Sequence, residues 1–194
     1  AGSPAVAGTV GVIVVTAWVL PEIVAAFVGY AFLSADGTLN GALSLIGVAG
    51  PNWLYALPML AIILANTWRA TAFSMLIYRA AVDDVTPEVT ESAMIDGAGA
   101  WQRLRFITLP MITGTIFTNL LLTTLQTLSV FTLIWVMTKG GPGFTSDVIA
   151  SVIYKQYQAG FYGLSTAGNV VLFLVVTAII VPISYFLNRR QVES

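Results

Sequence analysis

Four long apolar segments constrain the fold of this chain more than any other feature of its sequence. Each is long enough to cross a bilayer, which takes roughly 20 mostly apolar residues. Backbone polar groups in lipid must be satisfied within the segment itself, which favours helices. We therefore predict one all-α, polytopic membrane domain over residues 1–194, with four spans at about residues 10–33, 56–81, 111–137 and 167–187.

The composition agrees with a protein that is surrounded mostly by membrane lipid. The chain is 57% hydrophobic and only 9% charged, whereas a soluble domain carries about 25% charged residues. Its net charge of −1 gives no electrostatic basis for a nucleic-acid partner. The sequence has no Cys and no His, which excludes disulfides, Cys/His zinc sites and His-based catalytic triads in this chain.

The basic residues predict how the chain is oriented in the membrane. Most of them flank or lie within loop 82–110 or the C-terminal tail, and two lie on the opposite side. Cytoplasmic loops carry an excess of Lys and Arg, so we predict that loop 82–110 and the C-terminus are cytoplasmic and that loops 34–55 and 138–166 are external. The first group is Arg79, Arg103, Arg105, Arg189 and Arg190, and the second is Lys139 and Lys155.

Loop 82–110 is a polar segment of helix-forming residues between two apolar spans. Thr86-Pro87 predicts a helix start, with Thr86 as the N-cap, and we expect the helix to continue to Ala100. Gly97 inside such a helix costs about 1 kcal/mol relative to Ala. It therefore indicates close approach of another backbone, or a break between two short helices. On composition alone, the alternative is an amphipathic helix lying on the membrane.

The spacing of residues in this loop is a more specific signal. Glu91 and Ala93 are followed after three residues by Gly97, and nine residues later by Ile107-Thr108-Leu109-Pro110, whose proline suits the first turn of the third span. This spacing resembles the EAA loop of ABC-importer permeases, where a membrane subunit docks on a separate ATPase. Ser92 replaces the Ala that is usual in the second position, which is a small-for-small change.

Other segments resemble the carbohydrate-importer branch of that family, of the maltose and trehalose type, and its first membrane subunit more than its second. Members usually have six or more spans, so we expect that the first two are missing here and that the chain is an N-terminally truncated piece. The segments that carry this resemblance are Asp96-Gly97-Ala98, Trp101-Gln102, Gly37-Thr38-Leu39-Asn40, Trp53-Leu54, Thr138-Lys139-Gly140-Gly141-Pro142 and Ile153-Tyr154.

The resemblance implies an assembly rather than a self-sufficient transporter. The partners would be a second permease subunit, two ATP-binding subunits, and a periplasmic or lipid-anchored solute-binding protein that delivers sugar. The ATPase partners would bind ATP and Mg, so this chain would need no cofactor, metal or catalytic residue, and it would lie in the bacterial inner (plasma) membrane. The residues that the resemblance assigns to ATPase coupling are Glu91, Ala93, Asp96, Gly97, Ile107 and Pro110.

Polar residues inside spans are costly and therefore informative. Asn119, Thr123 and Gln126 are spaced four and three apart, which puts them on one helix face. Such residues can hydrogen-bond a sugar beside a stacking aromatic ring, or they can hydrogen-bond a neighbouring helix instead. The predicted substrate-binding residues are Asn66, Phe73, Asn119, Gln126 and Thr127, and by resemblance all but Asn119 fall near positions that line the sugar cavity of the maltose-type permease.

Two charged residues lie at membrane depth. Glu22 follows Pro21, which is predicted to kink the first span, and Arg69 lies in the second span. A charge at this depth must face protein or water rather than lipid. One hypothesis is therefore a Glu22–Arg69 ion pair, and the other is a water-filled cavity that Arg69 faces.

Other functions would require different residues. An ABC permease for glycerol 3-phosphate or another small solute, such as a polyamine, would share the architecture. A phosphorylated substrate would want more cations in the cavity than Arg69 alone supplies. A secondary transporter driven by an ion gradient would not need the Glu91–Pro110 loop and would more often carry ionisable relays in its spans. An intramembrane enzyme without His or Cys would need a Ser/Lys or Asp pair at membrane depth, and no Lys or Asp lies inside a predicted span. These comparisons favour a sugar permease.

Overall fold

The structure is a computed structural model, which describes the backbone of residues 4–192 and the side chains of residues 11–12 and 14–185. This part of the chain is built from helices without a strand, as predicted. A π-helical turn at Leu104–Thr108 lies between the seventh and eighth α-helices. The α-helices are α1 Pro4–Val19, α2 Glu22–Leu33, α3 Thr38–Leu45, α4 Trp53–Ala56, α5 Pro58–Asp83, α6 Pro87–Ile95, α7 Ala100–Arg103, α8 Leu109–Met111, α9 Thr113–Leu128, α10 Thr132–Met137, α11 Ile149–Gln158 and α12 Tyr162–Val192.

The number of membrane-crossing stretches agrees with the sequence prediction. In the described part, three stretches are long and apolar enough to cross a membrane, and a bent helix pair brings the number to four. The three stretches are Glu22–Leu45, Pro58–Asp83 and Tyr162–Tyr185, and the pair is Ala100–Met111 with Thr113–Leu128. The predicted bounds of the first and third spans nevertheless need correction.

The first predicted span, residues 10–33, is not one helix. The helix α1 ends at Val19 and α2 begins at Glu22. Pro21 has no amide hydrogen to donate and disfavours the helical region for Leu20. It becomes the residue before α2, with φ −53° and ψ 142°, so the expected kink is a complete break.

The third predicted span, residues 111–137, is broken at two places. A bend of 68° separates Ala100–Met111 from Thr113–Leu128, and residues 129–131 separate α9 from α10. At the second break, the Ser129 hydroxyl donates to carbonyl oxygens of the preceding turn at 3.1 Å. A local side-chain bond of this kind competes with continuation of the helix.

The fourth predicted span, residues 167–187, lies within α12, which begins earlier, at Tyr162, and contains Pro182. The side chains of Arg189 and Arg190, used above to predict orientation, lie outside the described residues.

The core joins α2, α5 and α10 through small side chains. A Cβ atom added to Gly29 of α2 would lie 3.2 Å from the Cε atom of Met137 in α10. Small residues allow helix backbones to approach closely, and here they hold the short α10 against α2. The break between α1 and α2 and the break between α9 and α10 are thereby brought to the same region of the molecule. The buried cluster consists of Ala26, Leu33, Leu54, Ala61, Ala65, Leu133 and Met137.

Asn40 organises the loop between α3 and α4. Its side-chain amide donates to the carbonyl oxygens of Ala35 and Pro51, each at 2.9 Å. Its Oδ1 atom accepts a bond of 2.7 Å from the indole nitrogen of Trp53. One side chain thus joins both ends of α3 to α4.

Replacing Asn40 with Leu is expected to lower the free energy of unfolding by about 1–3 kcal/mol, because the Trp53 indole and the backbone carbonyls lose their partner. Thermal unfolding in detergent measures the change. Asn52→Leu is the matched control, because the side chain of Asn52 is exposed and makes no cap hydrogen bond to α4. Equal unfolding temperatures for the two variants would contradict the organising role of Asn40.

Candidate functional site

A polar cavity lies where two helix breaks come together, the one between α1 and α2 and the one between α9 and α10. Irregular backbone at membrane depth is tolerated only where it is buried in protein or lines a water-filled space. Here a cavity of about 220 Å³, which we call the inner cavity, is lined by residues from both sides of the first break and by the end of α9 and the first residues of the second break. Its lining residues are Trp18, Glu22, Asn66, Arg69, Ala70, Thr123, Gln126, Thr127, Ser129 and Val130.

Glu22 and Arg69 both line the inner cavity, but they do not form the predicted ion pair. The ion pairs among the described side chains are Arg79–Asp83 and Lys155–Asp147. The Nε atom of Arg69 is buried and has no hydrogen-bond partner among the described residues. The direct Glu22–Arg69 contact is therefore wrong: α2 and α5 pack together through the buried cluster, but these two side chains line the inner cavity without forming an ion pair. The alternative, in which Arg69 faces a cavity, agrees with the structure.

A larger cavity of about 920 Å³, the outer cavity, continues from the inner one along α5. Asn66 and Thr127 line both cavities, so the two spaces meet at these side chains. The outer cavity extends along α5 as far as Arg79 and Asp83, next to the start of loop 82–110. The Arg79–Asp83 pair has a separation of 3.9 Å and is largely exposed, so it adds little stability.

The structure separates the five predicted substrate residues into two groups. Asn66, Gln126 and Thr127 line the inner cavity, whereas Phe73 and Asn119 line neither cavity. Phe73 packs against the ring of Trp18 at a centroid distance of 4.5 Å. It therefore contacts a residue that lines the inner cavity without lining the cavity itself.

Asn119 joins two helices rather than facing the cavity. It is only 3% exposed, and its amide donates to the Ser74 hydroxyl at 3.0 Å. This contact corresponds to the alternative role of hydrogen bonding between helices. Its prediction as a substrate residue has no support from this geometry and stays a prediction.

Trp18 is a lining residue that sequence reasoning missed. It lies in the last turn of α1, just before the break at Pro21. The only sequence signal was Pro21 itself, because a complete helix break turns the preceding side chains toward the resulting space.

Within loop 82–110, the predicted helix to Ala100 is wrong, and the alternative of two short helices is correct. Pro87 begins α6 as predicted, but the Thr86 hydroxyl makes no cap bond. Asp96 ends α6, and Gly97 adopts a φ of +81°. The Gly97 amide donates to Met94 O at 3.1 Å and the Ala98 amide to Ala93 O at 2.9 Å.

These two bonds are the pattern of a helix end that requires a left-handed residue, for which Gly is preferred. A Cβ atom on Gly97 would meet no atom within 4 Å. Backbone conformation, rather than close approach within this chain, is therefore the reason for glycine.

Two further hydrogen bonds, made by side chains of α7, stabilise the turn after Gly97. The Gly99 amide donates to the side chain of Gln102 at 2.8 Å. Arg103 donates to the carbonyl oxygen of Ala98 at 2.7 Å. The segment from α6 to α7, which we call the coupling turn (residues 87–103), is thereby a single hydrogen-bonded unit.

The coupling turn exposes both acidic and apolar side chains. Glu91 and Asp96 are exposed, whereas Ala93 is only 8% exposed. Ile95 is 87% exposed and Trp101 is 72% exposed. Exposed apolar groups of this kind, flanked by polar residues, mark sites of contact with another protein or with the membrane.

Pro110 does not begin the third span. It lies in α8, and the membrane-crossing helix α9 begins beyond the bend at Ile112. The preceding π-helical turn, in which Leu109 donates to Leu104 O, lies directly before this proline. Since Pro110 has no amide hydrogen and its ring crowds the preceding turn, local widening of the helix accommodates it. Ile107 is half-buried within the π-helical turn.

The loop between α10 and α11 is held by a largely buried ion pair. Lys155 donates to both carboxylate oxygens of Asp147, at 2.9 and 2.7 Å. The Ser151 hydroxyl donates to the same carboxylate at 2.8 Å. Asp147 is only 6% exposed in its side chain. Gly140, with a φ of +81°, packs directly against Asp147 and leaves no room for a Cβ atom.

Broken helices around a polar cavity at membrane depth are an arrangement found in many membrane transport proteins. Residues 3–192 match the family described as "Binding-protein-dependent transport system inner membrane component". The chain belongs to this family, and the resemblance to ABC-importer permeases predicted from the loop spacing is confirmed.

Curated relatives agree with this family. The trehalose/maltose transport system permease protein MalF of Thermococcus litoralis is 33% identical over 177 residues, which are 87% of this chain and 58% of that protein. The lactose transport system permease protein LacF of Rhizobium radiobacter is 29% identical, over 87% of this chain and 60% of that protein. The chain therefore spans about 58–60% of these relatives.

A solved structure shares the fold. It is a bacterial ABC transporter involved in the import of the acidic polysaccharide alginate, and it matches with a TM-score of 0.86 and 29% identity. The match covers 97% of this chain and 68% of that one. A bacterial alginate ABC transporter in complex with an alginate pentasaccharide-bound periplasmic protein matches with the same TM-score and identity.

Proposed function

We propose that this chain is the membrane-spanning permease subunit of an ATP-driven sugar importer. It forms part of the translocation path and couples to a separate ATPase through loop 82–110. Two ATP-binding subunits carry ATP and Mg, and a second permease subunit completes the path. A periplasmic or lipid-anchored solute-binding protein delivers the sugar, and this chain performs no chemistry on it.

The names of the relatives support sugar as the cargo. The curated proteins described above are named for trehalose and maltose or for lactose. The solved relative imports a polysaccharide and binds a periplasmic protein that carries a sugar. These properties belong to the relatives, and the proposal extends them to this chain.

The observation that carries the proposal is the exposed surface of the coupling turn. Ile95 and Trp101 project from a hydrogen-bonded turn that makes few contacts with the rest of the described chain, so a partner protein would be needed to cover them. Glu91 and Asp96 surround them with negative charge. A partner that moves this turn would act on α9 through α7, the π-helical turn and α8.

The orientation in the membrane follows from the charge pattern. Loop 82–110 contains Arg103 and Arg105, which supports a cytoplasmic position for it under the positive-inside rule. The C-terminus would lie on the same side. The loop that contains Asp147 would then face the solute-binding protein.

The two cavities supply a route from membrane depth toward the loop. The inner cavity offers amide and hydroxyl groups on Asn66, Gln126 and Thr127, together with the ring of Trp18. Hydrogen-bonding groups beside an aromatic ring suit a hydroxylated ring. The outer cavity would continue the path toward the cytoplasm.

The proposal is tested by ATP-dependent sugar uptake into vesicles that contain the full assembly. Glu91→Lys is expected to reduce uptake about tenfold or more, because a charge at the centre of a protein contact is reversed. The variant should still insert and fold, since Glu91 is exposed and makes no ion pair within the described residues.

Glu88→Lys is the matched control, because it reverses an exposed acidic residue on the same helix outside the motif. Normal uptake by Glu91→Lys would contradict coupling through this turn. Uptake that follows an ion gradient without ATP would favour a secondary transporter instead.

A further inference from the structure

The inner cavity contains one acidic and one basic side chain, which face the same space without touching. We propose that Glu22 and Arg69 are a charge-balanced pair of ligand-binding groups that selects uncharged, polyhydroxylated solutes over anionic ones. This inference rests on the proposed sugar-import function and adds the charge class of the sugar. It also assigns a role in specificity to the two residues.

Arg69 supplies a hydrogen-bond donor that the protein itself does not use. Its Nε atom is buried without a partner among the described residues. Leaving a buried donor of this kind unsatisfied is costly, so the protein's own hydrogen bonds do not account for the position of Arg69. The residue lines the inner cavity and forms no ion pair among the described side chains, so its positive charge is available to a ligand bound there.

Glu22 removes the attraction that this region would otherwise have for an anion. It is the first residue of α2, and the N-terminal end of a helix carries a partial positive charge. A helix that starts at membrane depth would therefore favour a negatively charged ligand, as would Arg69. The carboxylate of Glu22 opposes both effects, and the formal charges of the two cavity side chains cancel.

The two groups together match a hydroxyl better than a carboxylate. A sugar hydroxyl is both a donor and an acceptor, so adjacent hydroxyls can donate to Glu22 and accept from Arg69. A ligand carboxylate can only accept, so it would satisfy Arg69 but would be repelled by Glu22. The inner cavity, of about 220 Å³, is below the roughly 300–1,000 Å³ of pockets for drug-sized ligands, so these two groups would contact one sugar unit while the rest of a longer sugar extended into the outer cavity.

The test is equilibrium binding of matched sugars to the purified transmembrane assembly, without the solute-binding protein, which would impose its own selectivity. Glucose with glucuronate, and galactose with galacturonate, are pairs that differ in charge at one carbon. The wild-type assembly is expected to bind the neutral member of at least one pair more tightly. Glu22→Gln is expected to shift the ratio of neutral to acidic affinity about tenfold toward the acid, because one charge facing the ligand is removed.

Asp84→Asn is the matched control, because it removes one exposed acidic charge at the end of α5 and should leave the ratio unchanged. Arg69→Gln is a second variant, and it is expected to shift the ratio further toward the neutral sugar. If Glu22→Gln does not fold, as judged by gel filtration, the ratio of neutral to acidic affinity measured for Arg69→Gln tests the inference.

The outcomes separate this inference from the proposed function. If the wild-type assembly with its binding protein takes up sugar, but the variants leave the ratio unchanged or the wild type prefers the acids, only this inference is overturned. If the full assembly takes up no sugar of either charge with ATP, the proposed function fails, and this inference fails with it.

Discussion

Replacing Gly97 with Val is expected to lower ATP-dependent uptake roughly tenfold or more, while Gly97→Asn retains most of it. At a φ of +81°, a residue with a Cβ atom costs about 1–2 kcal/mol, and a β-branched one is a genuine outlier. Each 1.4 kcal/mol is a tenfold change in the population of the native turn. Asn tolerates this conformation and replaces Gly at helix ends.

The measurement is uptake together with ATP hydrolysis by the same vesicles. If the turn transmits force, Gly97→Val should hydrolyse ATP without proportionate transport, or should lose the ATPase partner during purification. A Cβ atom at this position meets nothing within 4 Å, so steric overlap inside the chain would not explain the defect. Equal loss in the Val and Asn variants would show that backbone conformation is not the cause.

Replacing Asp147 with Ala is expected to lower the free energy of unfolding of the loop between α10 and α11 by about 1–3 kcal/mol, because the carboxylate that accepts their hydrogen bonds is removed from Ser151 and from Lys155, whose side chain is 29% exposed. The Lys155 ammonium and the Ser151 hydroxyl both lose their acceptor. The measurement is limited proteolysis of this loop, with affinity for the solute-binding protein as a second readout.

Asp36→Ala is the matched control for that experiment, because Asp36 is an exposed acidic residue of a different loop, between α2 and α3. The reciprocal exchange of Asp147 and Lys155 tests whether the pair itself matters, and partial recovery of protease resistance is expected. If Asp147→Ala and Asp36→Ala were equally resistant, the ion pair would not be stabilising the loop.

The apolar segments and the loop motif were predicted well because both are local properties of the sequence. A run of about 20 apolar residues needs no knowledge of its neighbours to indicate a helix in lipid. The spacing from Glu91 to Pro110 indicated the family in the same way. The alternative reading of Gly97, a break between two short helices, was also local, since few other residues adopt a positive φ.

The helix breaks were harder to predict. Pro21 signals either a kink or a complete break, and the choice depends on whether neighbouring helices satisfy the freed backbone groups. At residues 129–131 there is neither Pro nor Gly, and the only local signal for the end of α9 among these three residues is the weak one of Ser129, whose hydroxyl bonds to the preceding turn. The break exists because α10 packs against α2 and α5 in the buried cluster.

The sequence by itself determined that the chain is helical, where most of its apolar segments lie, and which loop carries the motif of its family. Tertiary structure alone decided which polar residues face a cavity. Asn119 and Gln126 share one helix face in the sequence, yet Asn119 bonds to Ser74 and Gln126 lines the inner cavity. The reason is physical: periodicity orients side chains about one helix axis, whereas the neighbouring helices determine whether that direction meets protein or open space.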